Sequence, residues 1–277
     1  MSRSNGATTL ILRRAADTVV AALTRLFRPV DWRRGFAPFD DPQRLTLIAA
    51  AVVAALLLGM WLIDAAAIRA VQHWSHALVR LLDWFTDFGK SGWFLWPLGL
   101  LFLALAALPR KLGRVDQAVF AAIMVRVGFL FTAIAVTGIA ASLIKNMIGR
   151  ARPLVGGSLN PALFDPFHWA PSYASLPSGH ATTAFSVLAA FGALWPRART
   201  ALLIYALLIA VSRVAVTAHY PTDVAAGAVF GIGGVLLVRR WFALQKLGFS
   251  IGLDGQLRQF PGPSVRRIKS VARGLLA

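Results

Sequence analysis

Long apolar runs, broken at intervals by short polar segments, organise this chain. The first lies at residues 44–66 and contains "LTLIAAAVVAALLLGMWLI"; others follow at 93–109, 117–143, 180–195, 200–218 and 221–238. A helix of about 19 residues covers roughly 28 Å, which matches the hydrocarbon thickness of a bilayer. The pattern predicts an all-α, polytopic membrane helical bundle with about six transmembrane helices, the second and fourth being the shortest. No internal repeat and no second domain interrupt it.

Composition agrees. The chain is 57% hydrophobic and 14% charged, with a mean hydropathy of +0.65. A soluble domain of this size would be nearer half apolar and a quarter charged. Cysteine is absent, so there is no disulfide framework and no thiolate metal site. All 11 acidic residues are aspartates, so any carboxylate chemistry falls to Asp.

The net charge of +18 would point to nucleic acid in a soluble protein. Here the basic residues gather at the two ends and in short loops, and no basic patch interleaved with aromatics suggests a nucleic-acid partner. Residues 1–44 hold eight Arg, and the tail from Arg239 onward holds eight Arg and Lys. Arg110, Lys111 and Arg114 fall between spans two and three, and Arg197 and Arg199 between four and five. With six spans these segments share one side, collecting 21 of the 29 basic residues, and the positive-inside rule makes that side cytoplasmic. The expected organisation is a cytoplasmic basic segment at 1–43, a six-span domain at 44–238 and a cytoplasmic basic tail at 239–277. The first segment does not read as a secretory signal, since its apolar stretch is short and interrupted by Arg25. "LILRRAADTVVAALTRLF" fits a basic amphipathic helix on the cytoplasmic leaflet, and a disordered basic tail fits as well.

Three segments break the apolar pattern with chemically loaded residues. "KNMIGRARP" gives Lys145, Arg150, Arg152 and Pro153; "LPSGHATTAF" gives Pro177, Ser178, Gly179 and His180; "SRVAVTAHYPTD" gives Ser212, Arg213, His219 and Asp223. Counting spans puts all three at the extracytoplasmic face. Lys145 and Arg152 are seven residues apart, so a continued helix would project them from one side toward an oxyanion. Snorkelling at a span end accounts for them too. Gly179 permits close backbone approach at a helix start, and Ser178 can add a donor or act as an ordinary N-cap. Pro221 suits the first turn of a helix, with Tyr220 as its cap and Asp223 in that turn. Asp223 would then accept the Nδ1–H of His219 and leave Nε2 as a nucleophile. Three cations, a helix N-terminus, a His–Asp pair and a second His suit phosphoryl transfer.

At these residues the sequence resembles the type 2 phosphatidic acid phosphatase superfamily, the lipid phosphate phosphatases. Its pattern is Lys-x6-Arg-Pro, then Pro-Ser-Gly-His, then Ser-Arg-x5-His-x3-Asp, and every fixed position is matched in order. The resemblance covers roughly 90 to 238 and implies catalytic roles for three residues. His219 would form a phosphohistidine, Asp223 would orient it, and His180 would protonate the leaving group and later activate water. Lys145, Arg152, Arg213, Ser178 and the Gly179 amide would hold the phosphoryl oxygens. No metal and no cofactor are implied, because the three basic groups supply the charge that magnesium provides elsewhere. Arg150 is not a fixed position of the pattern. "DFGKSGWF" (Asp87 to Phe94) is familiar from bacterial members but receives no catalytic role, and His73, His76 and His168 read as interfacial residues.

The function implied is hydrolysis of a lipid phosphomonoester or pyrophosphate, with membrane lipids as surroundings and a lipid phosphate as substrate. A phosphotransferase using the same intermediate, or a non-catalytic anion-binding membrane protein, are the alternatives. Phosphatidate, phosphatidylglycerol phosphate, undecaprenyl pyrophosphate and lipid A phosphates all fit the core. The 23 residues between Pro153 and Pro177 are expected to shape the choice.

Overall fold

A computed structural model of the chain describes residues 2–30, 42–108, 113–252 and 254–276. Of the basic residues that set the topology, Arg33, Arg34, Arg110 and Lys111 lie outside the described residues.

The apolar runs are helical throughout. Helix α1 is Ser2–Leu26. Helix α2, Pro42–Gly59, passes through a π-helical turn, Met60–Asp64, into α3, Ala65–Val71. Helix α4, His76–Thr86, ends in a 3-10 turn, Asp87–Gly89, before α5, Gly92–Ala107. Then come α6 (Arg114–Ile148), α7 (Gly179–Leu194), α8 (Arg199–Ala215) and α9 (Pro221–Leu244). Among the described residues, five stretches are long and apolar enough to cross a membrane: Pro42–Val71, His76–Ala107, Arg114–Ile148, Pro196–Ala215 and Pro221–Leu244. The shorter apolar helix Gly179–Leu194 makes the sixth member. Among the described residues, the departure from an all-helical chain is a small antiparallel hairpin in the basic tail. Its strands are β1 (Phe249–Ile251) and β2 (Leu257–Gln259), and helix α10 (Val265–Leu276) follows.

Trp61, Leu62, Trp96 and Leu47 are all strongly exposed. Water would penalise such a surface and lipid tails would not, so the chain is an integral membrane protein.

Contacts divide the chain into two units. One comprises 1–37, 94–131 and 238–277. Its core stacks Phe129 edge-on against Phe242 and Phe249, at 5.4 and 4.8 Å between ring centroids. Arg126 Nη2 donates to the Phe260 carbonyl at 2.8 Å, and Thr18 Oγ1 donates to the Ala106 carbonyl at 3.2 Å.

The other unit comprises 38–93 and 132–237, and it holds every residue of the three motifs. Its core is built from Ala181, Ala184 and Phe185 of α7, Ala206, Ile209 and Ala210 of α8, and Val224 of α9. Small residues let these helices touch closely, as is usual where no hydrophobic drive separates helix from lipid. A Cβ on Gly231 would lie 2.6 Å from the Thr182 carbonyl oxygen, and one on Gly227 2.7 Å from that of Ser178. Helix α9 therefore lies directly on the start of α7, and this contact brings two of the three motifs together.

Candidate active site

The first motif begins in the last turn of α6, which carries Lys145 and stops at Ile148. Gly149 ends it at φ +64°, with its N–H donating to the Lys145 carbonyl at 3.0 Å. Lys145 and Arg152 are thus not on one continued helix, contrary to the spacing argument, because the left-handed glycine turns the chain away. They still lie within electrostatic range of each other. After the turn, the loop before Pro177 folds back on the extended segment Arg150–Arg152, with an isolated β-bridge between Arg150 and Phe164. Ala151 N–H donates to the Leu163 carbonyl at 2.9 Å, Arg152 N–H to Ser172 at 2.8 Å, and Ser175 N–H to Arg150 at 3.1 Å.

Ser178 occupies the N-cap of α7, yet its hydroxyl makes no capping bond. Its Oγ is buried and has no hydrogen-bond partner among the described residues, and the same holds for Arg152 Nε and Arg213 Nε. Buried donors without a protein partner are uncommon in folded proteins, and these three fall on candidate binding residues. The ordinary-cap reading of Ser178 is thereby set aside. The Ser178 amide donates to the Asp223 carbonyl at 2.9 Å, which ties the second motif to the third.

Arg213 lies in the last turn of α8, where its Nη1 donates to Thr86 Oγ1 at 2.7 Å. The chain then turns tightly, with both the Ala218 and His219 amides donating to the Arg213 carbonyl and Thr217 at φ +52°. Pro221 opens α9 with Asp223 in its first turn, as the sequence suggested, and Asp223 Oδ2 also accepts the Tyr220 N–H at 2.8 Å.

His219 Nδ1 is 3.8 Å from Asp223 Oδ2, too far for the direct hydrogen bond expected from the sequence. Ser175 stands between the two: its Oγ donates to Asp223 Oδ2 at 2.6 Å and lies 3.4 Å from His219 Nδ1. A carboxylate only accepts, so the one hydroxyl proton goes to Asp223 and the oxygen is left to accept from Nδ1–H. This relay fixes the tautomer and leaves Nε2 with a free lone pair. Burial pushes the His219 ring below its ordinary value; Asp223 opposes this, and the charges of Arg213 and Arg152 add to it. The ring is therefore neutral near pH 7. Burial likewise lowers the Arg152 guanidinium, partly offset by Asp223, from so high a value that it stays charged.

His180, in the first turn of α7, faces the 3-10 turn after α4: a Cβ on Gly89 would lie 3.0 Å from His180 Cδ2. Tyr205 Oη holds that turn by donating to the Phe88 carbonyl at 2.9 Å. The "DFGKSGWF" stretch, given no role from sequence, thus buttresses His180, and the preceding Thr86 holds Arg213. His168 is half-exposed and paired with Asp165 at 2.5 Å.

Sequence reasoning missed Ser175, Thr86, Thr222 and Asp64. Asp64 is fully buried, as are Asp223 and Arg150. A signal for it existed, since a lone carboxylate inside an apolar run requires a partner.

Comparison with known proteins gives the family. The PAP2 superfamily model matches residues 126–246. A lipid A 1-phosphatase of Rhizobium johnstonii is 36% identical over 227 residues, covering 81% of this chain and 91% of that protein. A lipid A 1-phosphatase of Rhizobium etli is 37% identical over 180 residues, 65% of this chain and 78% of that one. Two solved structures also align. Aquifex aeolicus LpxE does so at a TM-score of 0.46 and 23% identity, over 64% of this chain and 94% of that one. The PAP2-type phosphatidylglycerolphosphate phosphatase of Bacillus subtilis gives 0.46 and 20%, over 69% and 93%. The chain belongs to the PAP2 superfamily of membrane phosphatases. It is a lipid phosphate phosphatase, a hydrolase.

Proposed function

We propose that this phosphatase removes the 1-phosphate of lipid A at the extracytoplasmic face of the inner membrane, through a phosphohistidine on His219. The observation that carries the mechanism is the buried neutral His219, relayed through Ser175 to Asp223, beside Arg152 Nε, Arg213 Nε and Ser178 Oγ, which have no hydrogen-bond partner among the described residues. The two rhizobial relatives support the substrate, and the distribution of basic residues supports the face.

The phosphoryl group is held by Lys145, Arg152, Arg213, the Ser178 hydroxyl and the Gly179 amide. Nε2 of His219 attacks phosphorus, forming a P–N bond as the P–O bond to the sugar breaks. His180 gives a proton to the departing sugar oxygen. Asp223, through Ser175, stabilises the ring as it becomes positive. In the second half His180 takes a proton from water, the water oxygen bonds to phosphorus, the P–N bond breaks, and inorganic phosphate leaves. The basic side chains stabilise charge on the equatorial oxygens in both halves.

The test is phosphate release by purified protein in excess EDTA from lipid A, phosphatidate, phosphatidylglycerol phosphate and undecaprenyl pyrophosphate. Lipid A is expected to react fastest, and His219→Ala to reduce release by at least about a thousandfold while the protein still folds. A glycerophospholipid preferred over lipid A would refute the substrate. Loss of activity on chelation with recovery on magnesium would refute the metal-free mechanism, and phosphate passed to a second lipid would mark a phosphotransferase.

A further inference from the structure

Arg150 sits two residues from the proposed phosphate-binding Arg152, yet each of its three guanidinium nitrogens is already engaged. Nε donates to the Pro161 carbonyl at 3.0 Å. Nη1 donates to Thr222 Oγ1 at 2.8 Å and to Asp223 Oδ1 at 2.6 Å, and Nη2 donates to Asp64 Oδ2 at 2.7 Å. Its guanidinium carbon lies 4.6 Å from the centre of the Tyr220 ring. Arg152, by contrast, keeps Nε unpaired among the described residues. One arginine of the "GRAR" segment faces the phosphate and the other faces the protein.

Asp64 completes the arrangement from a distant part of the sequence. It closes the π-helical turn Met60–Asp64, a local widening that often accompanies functional sites in helices. Its Oδ1 accepts the Thr222 N–H at 3.0 Å, and its Oδ2 accepts the Thr222 hydroxyl at 2.5 Å as well as Arg150. Gly59 permits this approach, because a Cβ there would lie 2.9 Å from Thr222 Cγ2. The acid, the arginine and Asp223 each have 1% or less of their surface exposed.

We infer that Asp64 and Arg150 are positioning residues for the reaction, a buried clamp that fixes the Asp223 carboxylate on the side opposite His219. The inference rests on the reading of His219 as nucleophile. Asp223 Oδ1 is held by Arg150, while Oδ2 is held by Ser175 and the Tyr220 amide, so the carboxylate cannot rotate without breaking a bond at each end. Its geometry is passed to the imidazole through Ser175. The charges matter too. Two carboxylates against one guanidinium leave a net negative charge behind His219, which favours the ring as it becomes cationic, and Arg150 prevents that excess from being doubled. The clamp touches neither substrate nor reacting atoms, so it acts on the rate of attack and not on capture of the anion.

Removing one partner strands a buried charge and threatens folding, whereas replacing both with apolar groups of similar volume usually does not. The decisive variant is therefore Asp64→Leu combined with Arg150→Met, with Ser175→Ala and His219→Ala measured beside it. The readouts are melting temperature in detergent, kcat, KM and inhibition by inorganic phosphate. The double variant is expected to melt near the wild type and to lose about a hundredfold in kcat, the scale of a small misplacement of a reacting group. KM and the phosphate inhibition constant should stay within about threefold, because the anion site is untouched. Ser175→Ala, which keeps both charges, should show the same split with about a tenfold loss. The clamp is overturned if the double variant retains wild-type kcat, or if phosphate inhibition weakens in parallel with kcat. If the double variant does not fold, Ser175→Ala decides: unchanged kcat overturns the positioning path, and a selective kcat loss supports it. A fully active His219→Ala would instead sink the phosphohistidine reading, which separates the two failures.

Discussion

A histidine can serve as a nucleophile only while its ring is neutral, and His219 owes that state to burial. Its ring is pushed below the ordinary value, with Asp223 opposing and Arg213 and Arg152 reinforcing the shift. On the proposed mechanism the neutral form attacks, so activity is expected to disappear only as pH falls through the lowered value. The acid limb of kcat/KM is therefore expected to have its midpoint below the ordinary imidazole value of about 6.5, measured on detergent-solubilised enzyme with constant ionic strength. A midpoint at or above that value would contradict a buried neutral nucleophile. Thr86 allows a second measurement at this scale, because its hydroxyl accepts from Arg213 Nη1 at 2.7 Å. Thr86→Val keeps the shape and removes the acceptor. A buried bond to a charged group contributes about 1.5–3 kcal/mol, so inhibition by inorganic phosphate should weaken roughly tenfold to a hundredfold. An unchanged inhibition constant would show that Arg213 needs no such support.

Two glycine-dependent contacts decide how the elements of the catalytic unit meet. Gly231 and Gly227 let α9 lie on α7, which sets the Ser178 amide against the Asp223 carbonyl. Gly149 ends α6 with a positive φ, and a Cβ there would collide with the Asp165 carbonyl. From that turn the strand carrying Arg150 and Arg152 departs at the angle the site requires. Gly149→Ala adds a left-handed strain of roughly 1–2 kcal/mol to a backbone collision. It is expected to lower the melting temperature by several degrees and kcat/KM by at least about tenfold. A variant with wild-type melting and kinetics would show that the loop before Pro177 can move aside. The same loop hydrogen-bonds to the backbone of residues 149–152 through Leu163, Asp165, Ser172 and Ser175, so a change in its sequence can be transmitted to the site through backbone bonds.

For the whole molecule the open quantity is orientation, and sequence arithmetic supplies the prediction. With six spans, 21 of the 29 basic residues fall on one face, while Lys145, His180 and His219 fall on the other. The chain contains no cysteine, so a single introduced thiol reports its own side. Ser158 and Ser270 are both exposed positions. Ser158→Cys is expected to react with an impermeant maleimide in intact cells whose outer membrane is permeabilised, and Ser270→Cys only after lysis. The opposite pattern would place the active site in the cytoplasm and end the case for an outer-leaflet substrate. Labelling of both positions in intact cells would overturn the even number of spans.

Hydropathy by itself determined the number, type and approximate place of the membrane helices, because a bilayer admits few other ways to satisfy a backbone. The spacing of the three polar motifs pointed to the candidate site residues equally directly, because charged groups standing between apolar runs require a partner or a ligand. Other features depend on approach between distant segments, and no local pattern encodes them. The expectation that α6 would carry Lys145 and Arg152 together ignored the left-handed Gly149. The expected direct His219–Asp223 bond gave way to Ser175, which reads as a plain loop serine until the strand beside it is folded. Arg150 looked like an extra cation beside Arg152. Only the meeting of the first span with the start of α9, at Gly59 and Thr222, shows that Asp64 and Asp223 already hold it. Burial gives each of these groups its meaning, and burial is a property of packing, not of sequence position.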